Sequence, residues 1–141
     1  MTLARCALLL LAWFAHGTAA QPLPRTTPQA AYAEIARSGE LHQRHIDGDL
    51  DASKLQAPAG AKRMVLREVH IGGRLHASAS GPALALHIID RSRLADIDLR
   101  ETQWKAPLVI ENSVIEQRAW FDGARFDAAF AHARFRDCRR W

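Results

Sequence analysis

Cysteine is almost missing from this chain: the 141 residues hold two, Cys6 and Cys138. That scarcity excludes an internal disulfide framework and any zinc site built from several thiolates. A dominant charge sign is missing too. Nineteen Lys and Arg stand against 15 Asp and Glu, interspersed along the chain. A nucleic-acid binder carries a basic stripe; here the only basic cluster is Arg134, Arg136, Arg139 and Arg140, so no nucleic-acid partner is expected. Beyond residue 20 no apolar run approaches the ~20 residues that cross a bilayer as a helix. The chain also lacks G-x-S-x-G, H-E-x-x-H, phosphate-loop and dinucleotide-binding glycine patterns. No catalytic residue and no cofactor are assigned on this basis.

What is present begins with a leader. Arg5 supplies a positive start, Cys6 to Ala15 form an apolar stretch, and Thr18-Ala19-Ala20 end in small residues. This is the pattern of a secretory signal peptide over 1–20, removed from the mature protein. The expected location is periplasmic or extracellular, with no membrane span after cleavage. Without Arg5 the balance is 18 basic to 15 acidic residues, a formal charge of +3. Cys138 is then the one mature thiol, either inert in a terminal cap or paired with another chain.

Residues 21–27 (QPLPRTT) read as a polar, proline-rich linker. Thr27 before Pro28 suits an N-cap and first helical position, and Gly39 suits a left-handed stop. The spacing predicts one short helix over 28–39. Tyr32, Ile35 and Ala36 share a face, and a helix this short needs something to pack on.

The remainder, 40–141, is repetitive. From Gly60 to Arg136 it divides without gaps into seven blocks of eleven residues. Four columns recur: first (Gly60, Ile71, Pro82, Arg93, Trp104, Ile115, Phe126), fifth (Met64, Leu75, Leu86, Ile97, Leu108, Ala119, Phe130), seventh (Leu66, Ala77, Ile88, Leu99, Ile110, Phe121, His132) and tenth (Val69, Ser80, Arg91, Thr102, Ser113, Ala124, Phe135). Of their 28 positions 20 are apolar, against 17 of the other 49, so the columns mark an inside. An earlier block, Ile46 to Gln56, fits after a three-residue insertion, Ala57-Pro58-Ala59. Pro82, Arg91 and Arg93 break the columns and mark an irregular coil or a local slip.

The spacing inside each column pair is two, which places both side chains on one face of an extended segment. Polar residues and glycine between pairs suit corners. Two blocks, 22 residues, would close one four-sided coil, and coils would stack at the strand spacing of about 4.8 Å. The helix is expected to lid the first coil, because an open end exposes backbone like any sheet edge. The aromatic far end, with Trp120, Phe121, Phe126, Phe130, Phe135 and Trp141, is expected to be closed by the tail or by a second subunit.

The run Ala119-Trp120-Phe121-Asp122-Gly123-Ala124-Arg125-Phe126-Asp127, repeated as Ala133-Arg134-Phe135, resembles the A-x-F/L centre of the pentapeptide-repeat family. Glu34-Ile35 with Ile46-Asp47-Gly48-Asp49-Leu50-Asp51 resembles the helix-plus-first-coil opening of some members. The resemblance implies an all-β fold, a right-handed quadrilateral β-helix with a short N-terminal capping helix.

Several groups are candidates for chemistry. His42 and His45, with Asp47, Asp49 and Asp51 following, could hold a divalent cation, although no third ligand has a fixed spacing. His76 and His87 alternate with core positions and are expected to point outward, as are Asp96 and Asp98 about Ile97. Trp104 is expected in the core. Trp120, beside Arg118, is expected on the outside, and an exposed tryptophan points to a contact surface. The expected role is a non-catalytic protein-binding or scaffolding module. The alternatives are a metal-binding protein or enzyme using His42 and His45, and a subunit joined end to end, for instance as a homodimer, through the C-terminal coil.

Overall fold

The computed structural model describes residues 21–78, 80–127, 133–136 and 139–140. The proposed leader, Phe130, His132, Cys138 and Trp141 lie outside the described residues.

The chain is mostly strand, with one short helix. It runs through β1 (Arg25–Thr26), α1 (Pro28–Ser38), β2 (Glu40–His42), β3 (His45–Ile46) and β4 (Leu50–Asp51), then a single 3-10 turn at Ala52–Lys54. There follow β5 (Arg63–Arg67), β6 (His70–His76), β7 (Ala85–Ile89), β8 (Arg93–Asp98) and β9 (Gln103–Trp104). The last are β10 (Leu108–Glu111), β11 (Val114–Trp120), β12 (Arg125–Phe126), β13 (Ala133–Arg136) and β14 (Arg139–Arg140).

The helix forms where its caps allow. Thr27 Oγ1 accepts from the Ala30 amide at 3.2 Å, and Pro28 occupies the first turn, where its missing N–H is no loss. Gly39, at φ 79°, donates its amide to Ile35 O at 2.7 Å and ends the helix. Ala31 and Ile35 are buried, and Tyr32 Oη accepts from the Asp51 amide at 2.8 Å. Arg25–Thr26, inside the stretch expected to be a linker, pairs as a strand with β3.

All described strand pairs are parallel. The first sheet has the order β1-β3-β6-β8-β11-β14, with β4 also on β6; the second is β2-β5-β7-β10-β13; the third is β9-β12. Along the chain, strands of the first and second sheets follow each other in turn, so each strand meets its neighbours after a long excursion, as parallel pairing demands. In the second sheet Met64 lies opposite Leu86 and Leu86 opposite Leu108, steps of 22 residues. Leu41 lies opposite Leu66, a step of 25, and the extra three residues are the Ala57-Pro58-Ala59 insertion. Met64, Leu66, Leu75, Leu86, Ile88, Ile97, Leu99, Leu108 and Ile110 are all buried. The fifth and seventh columns are thus the centre of the core.

Two parts of the eleven-residue register need correction. The ungapped seventh block put Phe130 and His132 opposite Leu108 and Ile110; the structure puts Ala133 and Phe135 there, a step of 25. The first and tenth columns slip by one around β8. Leu94, not Arg93, lies between Ile71 and Ile115 and is fully buried. Ser92, not Arg91, is the buried corner residue; its Oγ accepts from the Val69 amide at 3.1 Å and donates to Ile89 O at 2.8 Å. The cause is an extra residue at the corner after β7, where both Asp90 (φ 52°) and Arg91 (φ 58°) are left-handed. One residue is then lost at Ala95, against which Gly72-Gly73 of β6 and Glu116-Gln117 of β11 bulge. Likewise Ser80, rather than a residue two blocks earlier in the ideal count, faces Gln103, which brings Gly81 and not Pro82 beside Trp104.

The corner between the second and first sheets is left-handed at every level where it is described: Gln43 (φ 51°), Glu68 (φ 53°), Asp90 and Arg91, and Asn112 (φ 49°). None is glycine. Their side chains also join levels, since Gln43 Nε2 donates to Glu68 Oε2 at 3.2 Å and Arg91 Nη2 to Glu68 Oε1 at 2.8 Å.

Candidate contact surface

The outward face of the first sheet carries the most organised chemistry among the described residues. Strand alternation sends Leu50, Leu75, Ile97 and Ala119 inward and their neighbours outward. Two outward ladders result, two residues apart. In one, Asp49 precedes Arg74, which lies opposite Asp96, which lies opposite Arg118. In the other, Asp51, His76, Asp98 and Trp120 follow one another. The first ladder alternates acid and base at every step, so each charge meets its opposite across the strand pair.

The hydrogen bonds hold the ladders in place. Asp49 Oδ1 accepts from the Arg74 amide at 2.7 Å, and Asp96 Oδ1 accepts from the Arg118 amide at 3.1 Å. Each of these carboxylates satisfies a backbone donor beside a bulge. Asp98 accepts from Arg100 at both oxygens, 2.8 Å from Nε and 2.7 Å from Nη2, and Arg74 Nη1 lies 3.7 Å away. The Arg100 fork holds the Asp98 carboxyl below its usual range, against partial burial. Asp51 is buried; desolvation raises its pKa, but hydrogen bonds from Ser53 and Ser78 (both 2.6 Å) outweigh that and leave it lowered. A shallow cleft of about 290 Å³ lies among Asp49, Arg74, His76, Asp98 and Arg100.

Trp120 closes this face. It is half-buried, and three guanidinium carbons surround its ring: Arg100 at 5.2 Å, Arg118 at 5.7 Å and Arg74 at 5.8 Å from the centroid. All are within cation–π range. Arg118 is exposed. Arg74 and Arg100 were not singled out from the sequence as partners of Trp120. The usable signal was the step of 22 from Arg74 to Asp96 to Arg118, a charge pattern rather than an apolar one.

The candidate metal ligands separate. His42 is on β2 in the second sheet, 3.8 Å from Glu68. His45 is on β3 in the first, 3.3 Å from Asp47, which also pairs with Arg25. Asp49 serves the Arg74 amide. Among the described residues no three His, Cys, Asp or Glu groups are placed to hold a metal ion.

A different imidazole pair forms instead. His45 and His70 meet edge to face with centroids 4.4 Å apart. Glu116 pairs with both His70 (3.7 Å) and Arg93. Burial lowers the His70 pKa below its usual 6.5, with His45 and Arg93 adding to the effect and Glu116 opposing it. A base with a lowered folded pKa binds fewer protons than it does in the unfolded chain. Stability therefore falls as the pH drops through about 6.5. The carboxylates with lowered pKa act separately, near and below pH 4. Urea unfolding at pH 7.5 and 5.5 is expected to show a loss at the lower pH that His70→Asn reduces; an unchanged loss in the variant would assign it elsewhere.

In comparisons with known proteins the chain matches no family model, no curated protein and no solved structure.

Proposed function

We propose that this chain is an exported, non-catalytic binding module of the pentapeptide-repeat kind, a right-handed quadrilateral β-helix that meets a protein partner through the outward face around Trp120. The fold reading is supported by parallel pairing at steps of 22 residues and by a core drawn from the repeat columns. The functional reading rests on one observation: a partly exposed tryptophan on a strand face, ringed by Arg74, Arg100 and Arg118. Tryptophan and arginine dominate the energetic centres of protein interfaces. Arg74 and Arg100 reach the Trp120 ring from other levels of the sheet and are anchored at Asp98, so this part of the face has less conformational freedom to lose on binding.

The test is quantitative capture of the partner from an envelope fraction by the mature protein. Trp120→Ala is expected to weaken capture by at least about 30-fold, the scale of a hot-spot residue, with circular dichroism unchanged. Arg63→Ala, at an exposed position on the second sheet, is the control. Equal capture by wild type and Trp120→Ala, with loss in the control, would move the interface to the other face.

A further inference from the structure

The first sheet begins with a thin strand. β1 holds only Arg25 and Thr26, and it covers the outer side of β3. The amides of His45 and Asp47 donate to Pro24 O at 2.8 Å and to Thr26 O at 2.9 Å. The Arg25–Asp47 ion pair, 3.2 Å long, is exposed at both ends and adds little. Removing β1 would leave these amides at an open sheet edge. Exopeptidase trimming of the mature chain from its amino terminus reaches this edge first.

Gln21, Pro22 and Leu23 stand before that anchor, in no strand or helix. Gln21 and Pro22 are exposed. Among the described residues the Gln21 carboxamide has no hydrogen-bond partner. Cleavage of the leader after Ala20 puts the free α-amine on Gln21. That amine then shares a residue with a carboxamide, at the separation that closes a five-membered ring. The unprotonated nitrogen attacks Cδ. The N–Cδ bond forms, the Cδ–Nε2 bond breaks, and an amine proton leaves with Nε2 as ammonia. The step consumes no oxidant, reductant or second substrate. An ordinary α-amine pKa of about 7.7–8.0 leaves part of the population unprotonated at neutral pH. Holding nucleophile and electrophile in one residue makes the step unimolecular. The side chain must turn back on the terminus, and no described group holds it elsewhere. The ring lies ahead of β1, so its closure breaks no strand hydrogen bond.

We propose that Gln21 is a modification site: the mature chain begins with a pyroglutamyl residue, a neutral lactam that closes the end from which exopeptidases would reach β1. The proposal rests on the exported half of the reading above and is independent of the contact face.

The experiment is intact-mass and fragmentation spectrometry on the full chain, expressed with its leader and recovered from the exported fraction. The expected species starts at residue 21 and is lighter by one ammonia than the open form. Gln21→Glu, which must expel water from a carboxylate in place of ammonia from an amide, is expected to keep its open mass. An aminopeptidase specific for X–Pro bonds is expected to remove residue 21 from that variant and to leave the wild type whole. A wild-type chain that starts at Gln21 with its full mass overturns the proposal and leaves export standing. A chain that starts at Leu23, having lost Gln21 and Pro22 as a cyclic dipeptide, does the same. A chain that retains residues 1–20 also overturns the proposal, and its absence from the exported fraction would overturn export as well. Equal trimming of wild type and Gln21→Glu overturns the protective role.

Discussion

Leu94→Ala is expected to destabilise the fold by about 2–5 kcal/mol, and Arg93→Ala by less than about 1 kcal/mol. The two residues are neighbours, and the eleven-residue count assigns the inside position to Arg93. The structure assigns it to Leu94, with no exposed surface, between Ile71 and Ile115. Truncating Leu94 leaves a void that two adjacent levels cannot close without shifting their own strands. The Arg93 side chain is 59% exposed and ends in an ion pair with Glu116, so solvent replaces most of what its loss removes. Urea denaturation of the two variants, compared at equal m-value, measures the difference. The reverse ranking would restore the uninterrupted count and refute the bulges opposite Ala95.

Gly81→Ala is expected to cost about 1–3 kcal/mol through overpacking, and Trp104→Ala about 3–5 kcal/mol through loss of a buried aromatic. The added Cβ at Gly81 would overlap the Trp104 ring. That ring cannot step aside. It is buried, its Nε1 donates to Thr102 Oγ1 at 3.1 Å, and it stacks on Phe126 with centroids 5.7 Å apart. The two changes therefore couple: in a Trp104→Ala background the glycine substitution is expected to be nearly neutral. A double-mutant cycle by thermal unfolding reads this directly. Additive effects would mean that Gly81 answers to some constraint other than the indole. The pair also shows how the third sheet begins, since Ser80 and Gly81 offer β9 its only described neighbour on that side.

The core was largely legible because it depends on side-chain polarity at a fixed step. The fifth and seventh columns stay in phase from Met64 to Ile110, and the Ala57-Pro58-Ala59 insertion was visible because it shifts everything before it. The slip around Leu94 was hidden by compensation. One residue gained at Asp90-Arg91 and one lost at Ala95 leave the total at 22, so only the residues between are misassigned. The second three-residue step, before Ala133, was hidden by composition: a stretch alternating Phe and Ala is apolar in any register. The candidate site shows the same division. Strand alternation sufficed to place Trp120 outside. It did not separate His42 from His45, because the left-handed Gln43 between them turns the chain from one sheet to the other. Arg74 and Arg100 reach Trp120 from different levels, and spacing in one chain does not report which side chains converge in space.

The left-handed corner has a consequence for how such a chain can be tuned. A non-glycine residue held at positive φ costs about 1–2 kcal/mol, and Gln43, Glu68, Asp90 and Arg91 each sustain one. These positions lie on neither outward ladder around Trp120 and contribute nothing to the buried columns. A lineage, or an engineer, can ease the strain at these bends while the face around Trp120 is left alone. The reverse freedom is narrower, because Asp49 and Asp96 within that face also bond backbone amides, and it falls to Arg118 and Trp120.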